Sequence, residues 1–181
     1  NFKSSLDHLL DQALSHQFPA HPAFESEVRK PAIRKAWIVI EQAVDAADSR
    51  VGMERTMRDD VIRIVVPLQL GNCGEAHFHL GEHWRTHFER KMAEHQIANP
   101  SVAMLHRWCD EPRPMGLSRD LMDLVVMTFA AQTARRFVLH GAPVTPELGN
   151  LHRETELREQ SLPAIEQWQL AVGRAAEVFG L

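Results

Sequence analysis

The 181 residues are 44% hydrophobic and carry 20 Lys+Arg against 24 Asp+Glu, a formal net charge of −4. A chain of this length and apolar content can bury a real core, as one domain or two small ones, so a disordered segment is excluded. The acidic excess is even, −2 over residues 1–97 and −2 over 98–181, which disfavours global non-specific binding to duplex nucleic acid and leaves only a local basic face for it.

The two cysteines, Cys73 and Cys109, make no disulfide framework and suit reduced thiols in an intracellular, cytoplasmic protein. The longest near-apolar run, Leu121 to Ala134, is interrupted by Asp123, Thr128, Gln132 and Thr133. It falls short of the ~20 residues that span a bilayer, so no membrane segment is expected. The chain opens on Asn1 without a charged and then apolar leader, and it reads as a piece of something longer.

In chain order, Ser5 to Phe18 sets Leu6, Leu9, Leu10, Ala13, Leu14 and Phe18 at spacings of three and four. This is the pattern of a one-faced helix that docks on a neighbour, ended by Pro19 and Pro22. Pro31 opens a second helix with the stripe Ile33, Ala36, Trp37, Ile40, Val44 and Ala47. Val51 to Glu54 suits a short strand. Thr56 then heads a helix that buries Met57, Val61, Ile64, Val65 and Leu68 and turns Arg55, Arg58 and Arg63 to the other side. Those arginines are either a solvated face or a nucleic-acid contact.

Gly71 to Phe88 holds the most suggestive chemistry. Cys73, His77, His79, His83 and His87 lie within fifteen positions, and His83 and His87 share a helix face at i and i+4. That spacing can put two imidazoles on one zinc. However, Trp84, Arg85 and Thr86 replace the acidic signature of an H-E-x-x-H protease, and no CxxC pair accompanies them. Surface or core histidines are the plainer reading, with Trp84, Phe88 and Met92 as core contacts of a helix from Glu82 to about His95.

Asn99 and Pro100 divide the chain into a helical subdomain with winged-helix-like elements over 1–97 and a winged-helix-like subdomain with a C-terminal helix over 98–181. Ser101 caps a short helix through Cys109, and Pro112 and Pro114 force an extended corner. Ser118 or Gly116 starts a central helix with Asp120 in its first turn. Leu121, Met122, Leu124, Val125, Val126, Met127, Phe129 and Ala130 make that helix apolar on more than one side, so it is expected between layers. Arg135 to His140 alternates like a strand and can pair with Thr155 to Gln160, with Ala142 to Glu154 as a long tip or wing. Pro163 opens a last helix with the stripe Ile165, Trp168, Val172, Ala175 and Phe179, stopped by Gly180. The fold class is thus α+β, mainly α with short β-strands, and its later elements follow the order of a winged helix.

Three stretches point further: GEAHFHLGEHWRTHFERKM at Gly74 to Met92, DEPRPMGLSRDLMDLVVMTFAAQTARRFVLHGAP at Asp110 to Pro143, and the ending TELREQSLPAIEQWQLAVGRAAEVFG. They resemble the C-terminal region of large bacterial P-loop ATPases of the phage growth limitation and BREX defence systems, over about residues 25 to 181. The resemblance implies a parent that binds ATP and acts with a DNA methyltransferase and other components against phage. This chain lacks the G-x-x-x-x-G-K-[ST] that cradles nucleotide phosphates, so ATP is expected upstream and no cofactor here.

Three functions remain open on the residues. The first is a non-catalytic domain that binds another component of the defence complex or its own ATPase portion. The second is DNA contact through Arg135 and Arg136 or the Arg55, Arg58, Arg63 face. The third is a metal site on Cys73, His77, His79, His83 and His87. Ser118 and Ser161 lack a G-x-S-x-G elbow, and Cys109 reads as a buried thiol rather than a nucleophile.

Overall fold

A computed structural model describes residues 2–160 and 165–180. The first helix, α1 (Phe2–Gln17), ends before Pro19, and α2 (Lys30–Asp45) begins with Pro31 in its first turn. Proline suits that position because the first backbone N–H groups of a helix have no intrahelical acceptor. The inner face of α2 buries Ile33, Ala36, Val39, Ile40 and Ala43, close to the predicted stripe.

β1 (Arg50–Gly52), α3 (Arg55–Val65), β2 (Gly71–Cys73) and β3 (His77–Leu80) follow. β3 is the middle strand of an antiparallel sheet in the order β1-β3-β2. Phe78 stands opposite both Val51 and Cys73 and is fully buried, so this face of the sheet looks into the core. α3 buries Val61, Ile64 and Val65 as predicted, although it starts at Arg55 without a side-chain cap rather than at Thr56.

α4 (His83–His95) buries Trp84, Phe88 and Met92, and the Trp84 indole N–H donates to Leu68 O at 2.6 Å. That bond satisfies a polar group that burial would otherwise leave stranded. α5 (Val102–Cys109) is capped by Ser101, whose hydroxyl accepts from the Met104 N–H. α6 (Arg119–Gln132) buries every residue from Leu124 to Ala130, with Leu121 and Asp123, and packs on α2, α4 and α5. The expected helix between layers is therefore present. Residues on both sides of position 97 share one buried cluster through it.

β4 (Arg135–Leu139), β5 (Ala142–Pro143) and β6 (Glu156–Glu159) form a second antiparallel sheet in the order β5-β4-β6. The predicted pairing of the 135–140 and 155–160 runs is realised from Arg135↔Glu159 to Val138↔Glu156. β5 adds a short strand at the base of the expected long tip. This sheet is stitched to α5, because Val102 N–H donates to Thr155 O and Leu157 N–H to Pro100 O.

Two helices leave apolar side chains open, the first of them against expectation. Leu6, Leu9, Leu10 and Leu14 of α1 are exposed, although their spacing predicts a docked face. Contact is concentrated past its C-terminal end. There Gly116, at φ +60, leaves room for the Phe18 ring, which a Cβ would approach to 2.5 Å, and Ala20 N–H donates to Pro114 O. In α7 (Ile165–Phe179) the predicted stripe is likewise open at Ile165, Trp168 and Val172. Pro163 and Ser161 lie outside the described residues, as does the Phe179 side chain.

Candidate functional site

Antiparallel pairing decides what the Cys73 and histidine segment can do. Cys73 is opposite Phe78, and directly opposed residues share a face. Successive residues point to opposite faces, so His77 and His79, flanking Phe78, stand on the outer face and are exposed. The thiol and these imidazoles are thus parted by the sheet. His83 and His87 do share a face of α4, with parallel rings 6.5 Å apart, but His87 Nε2 is engaged by Trp108 O at 2.8 Å. Among the described residues, no group of three or more His, Cys, Asp or Glu side chains is placed to hold one metal ion.

The electrostatics of this region follow burial. Desolvation lowers the His83 pKa below its ordinary 6.5, helped by His87 and Arg90, since burial disfavours the charged imidazolium. Burial raises the Cys73 thiol, with Arg58 opposing it. Cys109 is pushed far up by full burial and then by Asp110 and Asp123. Neither cysteine has the depressed pKa of a thiolate nucleophile.

The arginines fall into three settings. Arg55 is exposed, Arg58 donates to Gly74 O at 2.9 Å, and Arg63 sits by Asp60, Glu27 and Arg29 along one shallow groove. The α3 trio is therefore not one basic face. The Arg135 side chain is 7% exposed and is spent on structure, donating to Ala98 O, Leu157 O and Glu159. Arg136 is exposed and is opposed across the sheet by Arg158, itself paired with Glu156 at 2.8 Å.

The pair His106 and Asp123 is absent from the sequence reading. Asp123 is fully buried on α6. Its Oδ2 accepts from the Leu151 N–H at 3.2 Å, and Oδ1 is 2.8 Å from His106 Nε2 on α5. That approach lacks the alignment of a hydrogen bond, which is why both atoms also count as unpartnered donors or acceptors. His106 Nε2 thus stands where water would stand beside an exposed carboxylate. The Leu151 carbonyl in turn accepts from Arg119 at 2.5 Å. One carboxylate thus ties α5, α6 and the 148–153 connection together.

Residues 31–130 match the family described as the BREX System ATPase PglY protein 5th domain, which is more than half of the chain. The chain belongs to this family. The resemblance to phage-defence ATPases is borne out, and this PglY-type domain is a part of such an ATPase. No solved structure matches it.

Laid on the fold, the matched segment of the PglY domain runs from α2 into α6. It contains the Cys73 to His87 segment, the α3 arginines and the His106–Asp123 pair. The second sheet with Arg135 and Arg136, α1 and α7 lie outside it. Among the described residues, no helix of the PglY domain is long and apolar enough to cross a membrane.

Proposed function

We propose that this domain is a non-catalytic interaction module of a BREX ATPase, joining the parent protein to another component of the defence complex or to its own ATPase portion. ATP is handled elsewhere in that parent. One observation carries the reading: apolar side chains of α1 and α7 are left in solvent, with Leu9 and Trp168 each 61% exposed. Single exposed leucines are ordinary, but a continuous helical stripe is the mark of a surface that another element covers. The test uses the full parent ATPase co-expressed with the other defence components. Leu9→Glu with Leu10→Glu, or Trp168→Glu, should abolish co-elution while leaving the melting temperature unchanged. Co-elution that survives both changes counts against the module.

A second reading, DNA contact by a winged-helix-like arrangement, has one observation in its favour. Arg136 is exposed and opposed by Arg158 on the sheet that follows α5 and α6, and like charges directly opposite are tolerated at a cost in stability. Duplex binding that falls steeply with salt and is weakened by Arg136→Gln would favour this reading over the first.

A further inference from the structure

A cleft of about 370 Å³ opens between α5, the first turn of α6 and the connection before β6. Three arginines from three separate elements line it: Arg107 near the end of α5, Arg119 at the start of α6 and Arg153 on the connection, with His106 beside them. The one acidic residue in the lining is Asp110. Its Oδ1 is already occupied by the N–H groups of Met115 and Gly116, at 2.8 and 3.1 Å.

Three features mark this as more than scattered surface charge. First, the arginines are held by hydrogen bonds of the fold: Arg107 O accepts from the Asp110 N–H at 3.1 Å and Arg153 O from the Ala103 N–H at 3.0 Å, while the Arg119 guanidinium itself donates to Leu151 O, whose N–H donates to the buried Asp123. Second, among the described residues the Arg107 and Arg153 guanidinium groups have no hydrogen-bond or ion-pair partner. In a chain with net charge −4 and acids in excess, cations left unpaired around a concavity are conspicuous. Third, His106 on the cleft wall is backed by a fully buried residue, its Nε2 lying 2.8 Å from Asp123 Oδ1.

We propose that this cleft binds a small phosphate-bearing ligand, inorganic phosphate or a phosphomonoester. Guanidinium groups match tetrahedral oxyanions with paired, charge-assisted N–H donors. A concave site focuses their field. The volume is that of a small-molecule site and leaves room for an organic group beside the phosphate. Nucleic-acid backbone is a poorer fit, because a duplex needs cations ranged along an extended surface and these three gather around one cleft.

The experiment is calorimetric titration of the full chain with inorganic phosphate near neutral pH and low chloride, repeated with phenyl phosphate. One saturable site per chain is expected. Arg107→Gln and Arg153→Gln should each weaken it about tenfold or more, the loss expected for one charge-assisted hydrogen bond. Neither side chain is tied into the fold, so both variants should melt like the wild type. Arg34→Gln, at an exposed position on α2, should bind as the wild type does. Tighter binding of phenyl phosphate would identify a phosphate carried on a larger molecule, and equal binding would identify free phosphate. The proposal is overturned by an absence of saturable binding, or by an equal loss in Arg34→Gln. It is also overturned if a short DNA duplex displaces phosphate and binds more tightly, losing affinity in the same two variants.

Discussion

Replacing Asp123 by alanine should be among the most damaging single changes in this protein. The side chain is fully buried, so its loss cannot be repaired by water without opening the core. Two groups lose their partner at once: the Leu151 N–H at 3.2 Å and His106 Nε2 at 2.8 Å. Stranding one buried donor costs about 1–3 kcal/mol, and with two polar groups left facing the gap about 2–4 kcal/mol is expected for Asp123→Ala. For a chain of this size each kcal/mol moves the midpoint by about 2–4 °C, giving a fall of about 4–16 °C. Asp123→Asn keeps the shape and an acceptor for Leu151 while losing the charge, so about 1–2 kcal/mol is expected for it. Urea unfolding followed by far-UV circular dichroism measures both. An Asp123→Ala variant within about 0.5 kcal/mol of wild type, the range of ordinary surface changes, would refute the role given to this carboxylate. Equal losses in the alanine and asparagine variants would show that the charge of the Asp123 carboxylate, and not the bond to Leu151, carries the effect.

Gly149 lies at φ +80 in the turn closed by Asn150 N–H to Glu147 O, and a Cβ there would come within 2.0 Å of Asp120 Oδ1. Gly149→Ala should therefore cost about 1–3 kcal/mol, of which Asp120→Ala in the same chain restores only the steric part; a neutral Gly149→Ala in thermal melts would contradict this. Alkylation of the native protein followed by peptide mapping should label half-buried Cys73 slowly and buried Cys109 only after unfolding, and equal labelling of the two would contradict the burial argument. The His83 imidazole, lowered by desolvation, should titrate below 6.5 by NMR. Because its folded-state pKa is depressed, its contribution to stability is full above 6.5 and is lost as pH falls through the folded value; a titration at or above 6.5 would remove the claim.

Periodicity made the helices legible wherever the chain supplies its own partner. α2, α3 and α6 show their buried faces in the spacing of Ile33, Ala36 and Ile40, of Val61, Ile64 and Val65, and of Leu121, Leu124 and Val125. The β4 and β6 pairing was legible because Arg135 to His140 alternates between a central helix and a Gly-Pro break. β2 and β3 were not. Of the ten residues from Gly71 to Leu80 only a few are strongly apolar, too few to show a period of two. That gap also explains why the histidine cluster looked more promising in sequence than in space. Fifteen positions bring residues near in the chain, whereas the pleat parts Cys73 from His77 and His79. His106 and Asp123 follow no fixed spacing, since they meet across two helices. The available signal was chemical: a carboxylate in the middle of an apolar helix requires a partner.

Amphipathic spacing shows that a helix has a face to bury, and it does not say what covers that face. α1 and α6 both repeat apolar residues at helical intervals, yet only α6 is enclosed. A lone 16-residue helix is marginal in water, so α1 depends on being fastened. Its fastening lies at one end: Phe18 against Gly116, Ala20 N–H on Pro114 O and His21 Nδ1 at 2.7 Å from Met115 O. The corner that holds it is the one set by Asp110, whose carboxylate takes the N–H groups of Met115 and Gly116. Asp110 also lines the arginine cleft. A single short loop therefore positions both the base of the exposed leucine stripe and one wall of the proposed anion site.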